Sequence, residues 1–221
     1  MLNKMDNNLS IGNKSHQTVA AEIISHLLQQ IRQKETVYIL SVAGESGSGK
    51  TETGAALYQK LEQTGIKALV LNQDNYFHYP PAQNDAHRKS DQHWLGPHAE
   101  VNMDLLQQNI NNALAGAQEI EVPSIDYHAN TKISLRLSLT GIRVLILEGT
   151  YVSLLKNIDA RIFITSTYID TLPYRRKRNR GNEVNDPFVE NILATEHKII
   201  AGHRYLADYL ISPKLEVTKT Q

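Results

Sequence analysis

The sequence contains no cysteine, which excludes disulfides, thiolate metal sites and cysteine nucleophiles. It has no surplus of charge: 23 Lys and Arg stand against 23 Asp and Glu. Chains that grip nucleic acid or a membrane surface usually carry a basic excess, so neither is expected as a partner and small-molecule chemistry is the default. No apolar run is long enough to span a bilayer. Met1 to Lys14 is polar, rich in Asn and without a signal-peptide core, so a cytoplasmic setting is expected, with residues 1–14 flexible. Metal-ligand spacing is also lacking. The nine histidines form no H-E-x-x-H pattern, and His78, His93, His98, His128 and His197 are expected on the surface or in substrate loops.

What the chain does have is Gly44-Glu45-Ser46-Gly47-Ser48-Gly49-Lys50-Thr51, which fits the phosphate-binding pattern G-x-x-x-x-G-K-[ST] at every fixed position. Val37 to Val42 before it is a short apolar run of strand length, and Glu52 to Leu61 after it reads as a helix. Glycines in that setting let backbone N–H groups point at phosphate oxygens, helped by the helix N-terminus. Lys50 is positioned for the β- and γ-phosphates, and the Thr51 hydroxyl for Mg²⁺.

At 221 residues the chain is expected to form one domain, 1–221, of the α/β class. Ser15 is a candidate cap for a helix to Gln33, whose Val19, Ile23, Leu27 and Ile31 form one apolar stripe. Lys67 to Leu71 reads as a strand, His78 to Glu100 as a long functional loop, and Asp104 to Ala115 as a helix ended by Gly116. Glu119 to Val122 and the alternating Ile133 to Leu139 suggest a small hairpin around Asp126 to Lys132. Arg143 to Leu147 and Ala160 to Thr165 read as strands, Asp186-Pro187 opens a helix to about Leu206, and Tyr209 to Ile211 is a last strand. Strands alternating with helices imply a parallel sheet covered on both faces.

Ligands in such sheets bind beyond the carboxyl ends of the strands. Lys50 and Thr51, Asp74 and Glu148 all fall at such ends. A phosphate cradle facing two carboxylates suits phosphoryl transfer, one acid accepting the proton of the attacking hydroxyl and the other holding the metal. The basic run Arg175-Arg176-Lys177-Arg178-Asn179-Arg180 is read as an Arg-rich lid that closes over the transferring group.

In order along the chain come the glycine-rich loop, Gln73-Asp74-Asn75-Tyr76-Phe77, Pro123-Ser124-Ile125-Asp126-Tyr127, Leu147-Glu148-Gly149, the basic run and Ala207-Asp208. Together they resemble the uridine kinase and phosphoribulokinase family, from about Val37 to Ser212. The resemblance implies a P-loop kinase fold with a small substrate-side hairpin, ATP with Mg²⁺, and transfer to a small-molecule hydroxyl. It implies Asp74 as the proton acceptor and Arg175 and Arg178 as lid arginines, with Lys50 catalytic. Gly44 to Thr51 and Arg180 are the candidate nucleotide contacts, Thr51 and Glu148 the metal holders, and Tyr76, His93, Asp126 and Tyr127 the acceptor contacts. Two departures bear on the acceptor. Ile125 and Asn130 stand where uridine kinases typically carry Tyr and His, and His93-Trp94-Leu95-Gly96-Pro97 replaces another family segment. Arg88 and Lys89 are candidates for a phosphate on the acceptor. A nucleoside is the leading acceptor; a phosphoribulokinase-like or pantothenate-type kinase, a nucleotide-binding switch without transfer, and a homo-oligomer stay open.

Overall fold

A computed structural model describes residues 14–91, 93–126, 129–178 and 186–220. Its centre is a six-stranded sheet in the order β2-β5-β1-β6-β7-β8. The strands are β1 (Tyr38–Gly44), β2 (Ala68–Asn72), β5 (Val144–Glu148), β6 (Ala160–Ile164), β7 (Tyr209–Ile211) and β8 (Val217–Lys219). The first five pair in parallel, and β8 lies antiparallel at the edge. Every residue of β1 and β5 is buried, as strands covered on both faces require.

Successive residues of β1 feed two cores. Leu40 and Val42 pack with Val19, Ile23, Leu27 and Ile31 of α1 (Lys14–Gln33) and with Leu57 and Leu61 of α2 (Lys50–Gln63). Ile39 and Ala43 point the other way, to Leu106 and Ile110 of α4 (Met103–Leu114) and to the antiparallel hairpin of β3 (Glu119–Asp126) and β4 (Thr131–Ser138). The expected apolar stripe of α1 therefore lies on the sheet. From β1 the chain crosses to β2 on one side, and from β5 to β6 on the other, so the carboxyl ends of β1, β2 and β5 open onto one crevice.

Several elements differ from the sequence expectation. The stretch 78–100 is not all loop: α3 (Pro81–Ser90) lies within it, with Pro81 in its first turn. Its inward face carries Asn84 and Arg88, which meet the buried Glu100, so no apolar periodicity announces it. Ser15 sits inside the first turn of α1 and not at its cap. The helix after Asp186, α6 (Pro187–Ile200), stops short of Leu206 and continues as a 3-10 turn containing Gly202, a poor helix former. The edge strand β8 was not anticipated; a short segment with one half-buried residue gives little pattern.

One close approach fixes the strand ends. Gln73, fully buried after β2, accepts from the Tyr151 N–H at 2.7 Å and lies against Gly149 after β5. A Cβ on Gly149 would stand 2.3 Å from the Gln73 Cβ, which no repacking of a side-chain tip relieves. Gly149→Ala is expected to cost about 1–3 kcal/mol in urea unfolding, the usual range for overpacking. An unchanged midpoint would show that the two strand ends can separate freely.

Candidate active site

The phosphate loop leaves β1 at Gly44 and enters α2 at Lys50. Gly47 and Gly49 hold φ of 79° and 99°, left-handed values that favour glycine, and Gly49 is the residue that starts the helix. Lys50 Nζ donates to the carbonyl of Glu45 at 2.9 Å, folded back over its own loop. The exposed Thr51 donates through Oγ1 to Glu148 Oε1 at 3.1 Å. Glu148 ends β5 and stands in register with Asn72 of β2 and Val42 of β1. Asp74 follows β2 in a 3-10 turn, held by its N–H donating to Asn72 Oδ1 at 2.7 Å. The loop, Asp74 and Glu148 are thus brought to one place.

Their electrostatics follow from burial beside one another. Desolvation pushes Glu148 up to about 7, the charge of Asp74 adds to the rise, and Lys50 and the Thr51 bond oppose it. Asp74 is raised by desolvation, against the pull of Lys50 and Arg88. A further acid, the buried Glu196 of α6, takes the Ser46 N–H on Oε1 at 2.7 Å and the Ser46 hydroxyl on Oε2 at 2.9 Å. The next residue, His197, pairs through Nδ1 with Glu45 Oε1 at 2.6 Å, and Glu45 Oε2 accepts from the Tyr168 N–H. Glu45 therefore anchors the loop through its side chain. The sequence left both α6 residues as helix or surface: two polar neighbours near a helix end carry no signal until the helix is docked.

Arg175 of α5 (Leu172–Arg178) is buried, pairs with Glu190 of α6 at 3.1 Å and donates to the Tyr168 carbonyl. Its stem passes over Gly47. Arg178 closes α5, but its side chain, Arg180 and the rest of the basic run beyond it lie outside the described residues.

On the acceptor side, Arg88 donates from Nε and Nη2 to Glu100 Oε2 at 2.8 and 2.7 Å, and reaches Asp85 at 3.4 Å. Glu100, 1% exposed, also accepts from Asn84, the Gly96 N–H and the Tyr151 hydroxyl. Lys89 lies over the Phe188 ring and Lys132 donates to the Phe77 carbonyl. The hairpin is latched down: the Ile125 N–H donates to Asn75, and Asn130 accepts from the Ala82 N–H. Tyr76, expected at the acceptor, is instead a core side chain, 1% exposed, whose hydroxyl accepts from Asn109. Its ring alternates inward on the turn that presents Asp74. His93 and Asp126 are exposed; the His93 N–H donates to Asp91, and Asp126 accepts from the Ala129 N–H. Tyr127 lies outside the described residues.

Residues 39–173 match the model of the phosphoribulokinase / uridine kinase family. A uridine kinase of Oceanobacillus iheyensis is 27% identical over 80% of this chain and 87% of its own. A bifunctional alpha-galactosidase/sucrose kinase of Mediterraneibacter gnavus is 27% identical over 80% of this chain, which spans only 20% of that larger protein. The D-glycerate 3-kinase of Cryptococcus neoformans superposes with a TM-score of 0.63 over 94% of this chain and all of its own, at 14% identity, a likeness of fold. Among the described residues no helix is long and apolar enough to cross a membrane. The glycine-rich loop between β1 and α2, the parallel sheet that presents it and the span of the family match lead to one conclusion: the chain belongs to the phosphoribulokinase / uridine kinase family of small-molecule P-loop kinases.

Proposed function

We propose that this protein transfers the γ-phosphoryl of ATP, with Mg²⁺, to a hydroxyl of an uncharged small molecule, a nucleoside or a free sugar. The observation that supports transfer, beyond nucleotide binding, is the convergence of Lys50, Thr51, Asp74 and Glu148 at the ends of β1, β2 and β5. The loop suits a polyphosphate: its glycines take positive φ, and Ser48 Oγ and Arg175 Nε are buried there with no partner among the described residues. Among the described residues no cluster of three acids or histidines could hold a metal unaided. Mg²⁺ would therefore rest on Thr51, Glu148 and phosphate oxygens, the usual mixed set for that ion. ATP with its metal supplies the phosphoryl group and neutralises part of its charge.

The protein's own groups do the rest. Lys50 can exchange the Glu45 carbonyl for a phosphate oxygen. Asp74 accepts the acceptor's proton at its carboxylate, and desolvation makes it a better base than an exposed aspartate. Arg175 contributes charge above Gly47. One catalytic domain accounts for all of these groups, and dependence on ATP is the reason to read the enzyme as cytoplasmic. The preference for an uncharged acceptor rests on Arg88. It is the cation other than Lys50 that Asp74 feels, and it is already neutralised by Glu100. Among the described residues, the cations that act on Asp74 are Lys50, which the nucleotide takes, and Arg88, which Glu100 holds, so a phosphate or carboxylate on the acceptor would add charge beside Asp74. The relatives named for uridine and for sucrose act on uncharged acceptors.

An acceptor panel tests this. Nucleosides and free sugars should support ADP release in the presence of Mg²⁺·ATP, and sugar phosphates should not. Turnover indifferent to every acceptor would favour a nucleotide switch, and turnover with sugar phosphates alone would remove the argument from Arg88.

Asp74→Asn should lower kcat by about 10²–10⁴-fold with little change in nucleotide affinity, because Asn keeps the shape and cannot take the proton. Glu148→Gln should instead raise the Mg²⁺ concentration needed for half-maximal rate. The opposite pair of results would exchange the two roles.

Glu148 also predicts a pH dependence of the ligand-free protein. Its folded pKa lies above the unfolded one, so the folded state favours the neutral acid. That stabilising contribution is fully present below the usual 4.5 and is lost as pH rises towards about 7. Melting temperature should fall across this window, and less steeply in Glu148→Gln. An identical slope in the variant would show that Glu148 ionises without cost.

A further inference from the structure

Glu196 is 5% exposed, and both of its carboxylate oxygens are spent on Ser46, one on the backbone N–H and one on the hydroxyl. Ser46 belongs to the glycine-rich loop, whose inward N–H groups are the donors an anion seeks. Lys50 Nζ donates to the carbonyl of Glu45, and the N–H of that same peptide unit, on Ser46, goes to Glu196, so the lysine ammonium and the Glu196 carboxylate meet the loop at one peptide. The phosphate that is transferred must lie between Lys50 and the acceptor hydroxyl beside Asp74. Glu196 is therefore at the terminal-phosphate end of the cradle.

A staple alone does not need this charge. Glutamine could accept from the Ser46 N–H through its carbonyl and donate to the hydroxyl through its amide. The helix is moreover already tied to this region by His197 on Glu45 and by Glu190 on Arg175. What the carboxylate adds is a negative charge, and like charges brought together in a desolvated site repel strongly. Burial raises the Glu196 pKa, in keeping with a site where its charge is under strain.

We propose that Glu196 is a resident anion of the phosphate loop: it holds the terminal-phosphate end of the cradle in the nucleotide-free protein and must leave Ser46 for a triphosphate to seat. This makes Glu196 a residue that sets the preference between tri- and diphosphate, and it rests on the nucleotide binding proposed above.

Titration calorimetry of the full chain with Mg²⁺·AMPPNP and Mg²⁺·ADP, in the wild type and in Glu196→Gln, tests it. The variant should bind AMPPNP tighter by about tenfold, the scale of one relieved like-charge contact, and ADP far less so. Binding of AMPPNP by the variant alone would support the proposal further. An equal gain for both nucleotides, no gain, or weaker AMPPNP binding would overturn it while leaving nucleotide binding intact. If neither protein bound either nucleotide, the kinase reading would fall and this inference with it. Should Glu196→Gln not fold, Glu196→Asp carries the test: the shorter side chain withdraws its charge from Ser46, and the ratio of AMPPNP to ADP affinity should move the same way. An unchanged ratio would overturn the proposal.

Discussion

Acids crowded into a desolvated crevice need counter-charge, and this constraint governs the site. Asp74, Glu148 and Glu196 all act on, or are acted on by, the charge of Lys50, and burial raises each of them. Hydrogen-bond donors share the load: Thr51 for Glu148 and the Ser46 N–H and hydroxyl for Glu196. In the proposed reaction Mg²⁺, held by Thr51 and Glu148, would add positive charge there.

The scaffold meets the same constraint by giving several of its other polar side chains partners. Arg88 goes to Glu100, Arg175 to Glu190 and Glu45 to His197. Each pair also crosses between elements, α3 to the segment before α4, α5 to α6, and the phosphate loop to α6. In each pair one partner is buried (Glu100, Arg175 and Glu45), and removing the side chain that meets it would leave that buried group without its partner, so the pairs hold the elements in place as well. The phosphate loop is consequently gripped from α6 by two adjacent side chains, Glu196 and His197, while its glycines stay free to face a ligand.

The acceptor side is built differently. Here the backbone does the tying: the hairpin is latched to the Asp74 turn and to α3 through Asn75 and Asn130. The polar side of α3 faces Glu100, and Tyr79, His87 and Trp94 stack beside it, with the Trp94 indole donating to Asn84. A region held by asparagines and a buried ion pair, without an apolar stripe, leaves little trace in hydropathy, which is why α3 read as loop.

The sequence alone was enough for those features whose physics is local. The loop of residues 44–51 reads as an anion-binding loop because its glycines, lysine and helix start lie within eight consecutive positions. The strands β1 and β5, the amphipathic α1 and the hairpin follow from apolar periodicity. Asp74 and Glu148 could be placed because strand ends share one edge of a parallel sheet. Other features exist only once distant segments meet. Tyr76 turned out to be core because the 3-10 turn that presents Asp74 points its neighbour inward. Glu196 and His197 became part of the phosphate loop because α6 docks about 150 residues downstream, a separation at which no spacing rule operates. Whether Arg88 was a free cation or a spent one was likewise decided by Glu100, since charge is written in the sequence but its neutralisation depends on which side chains are buried together.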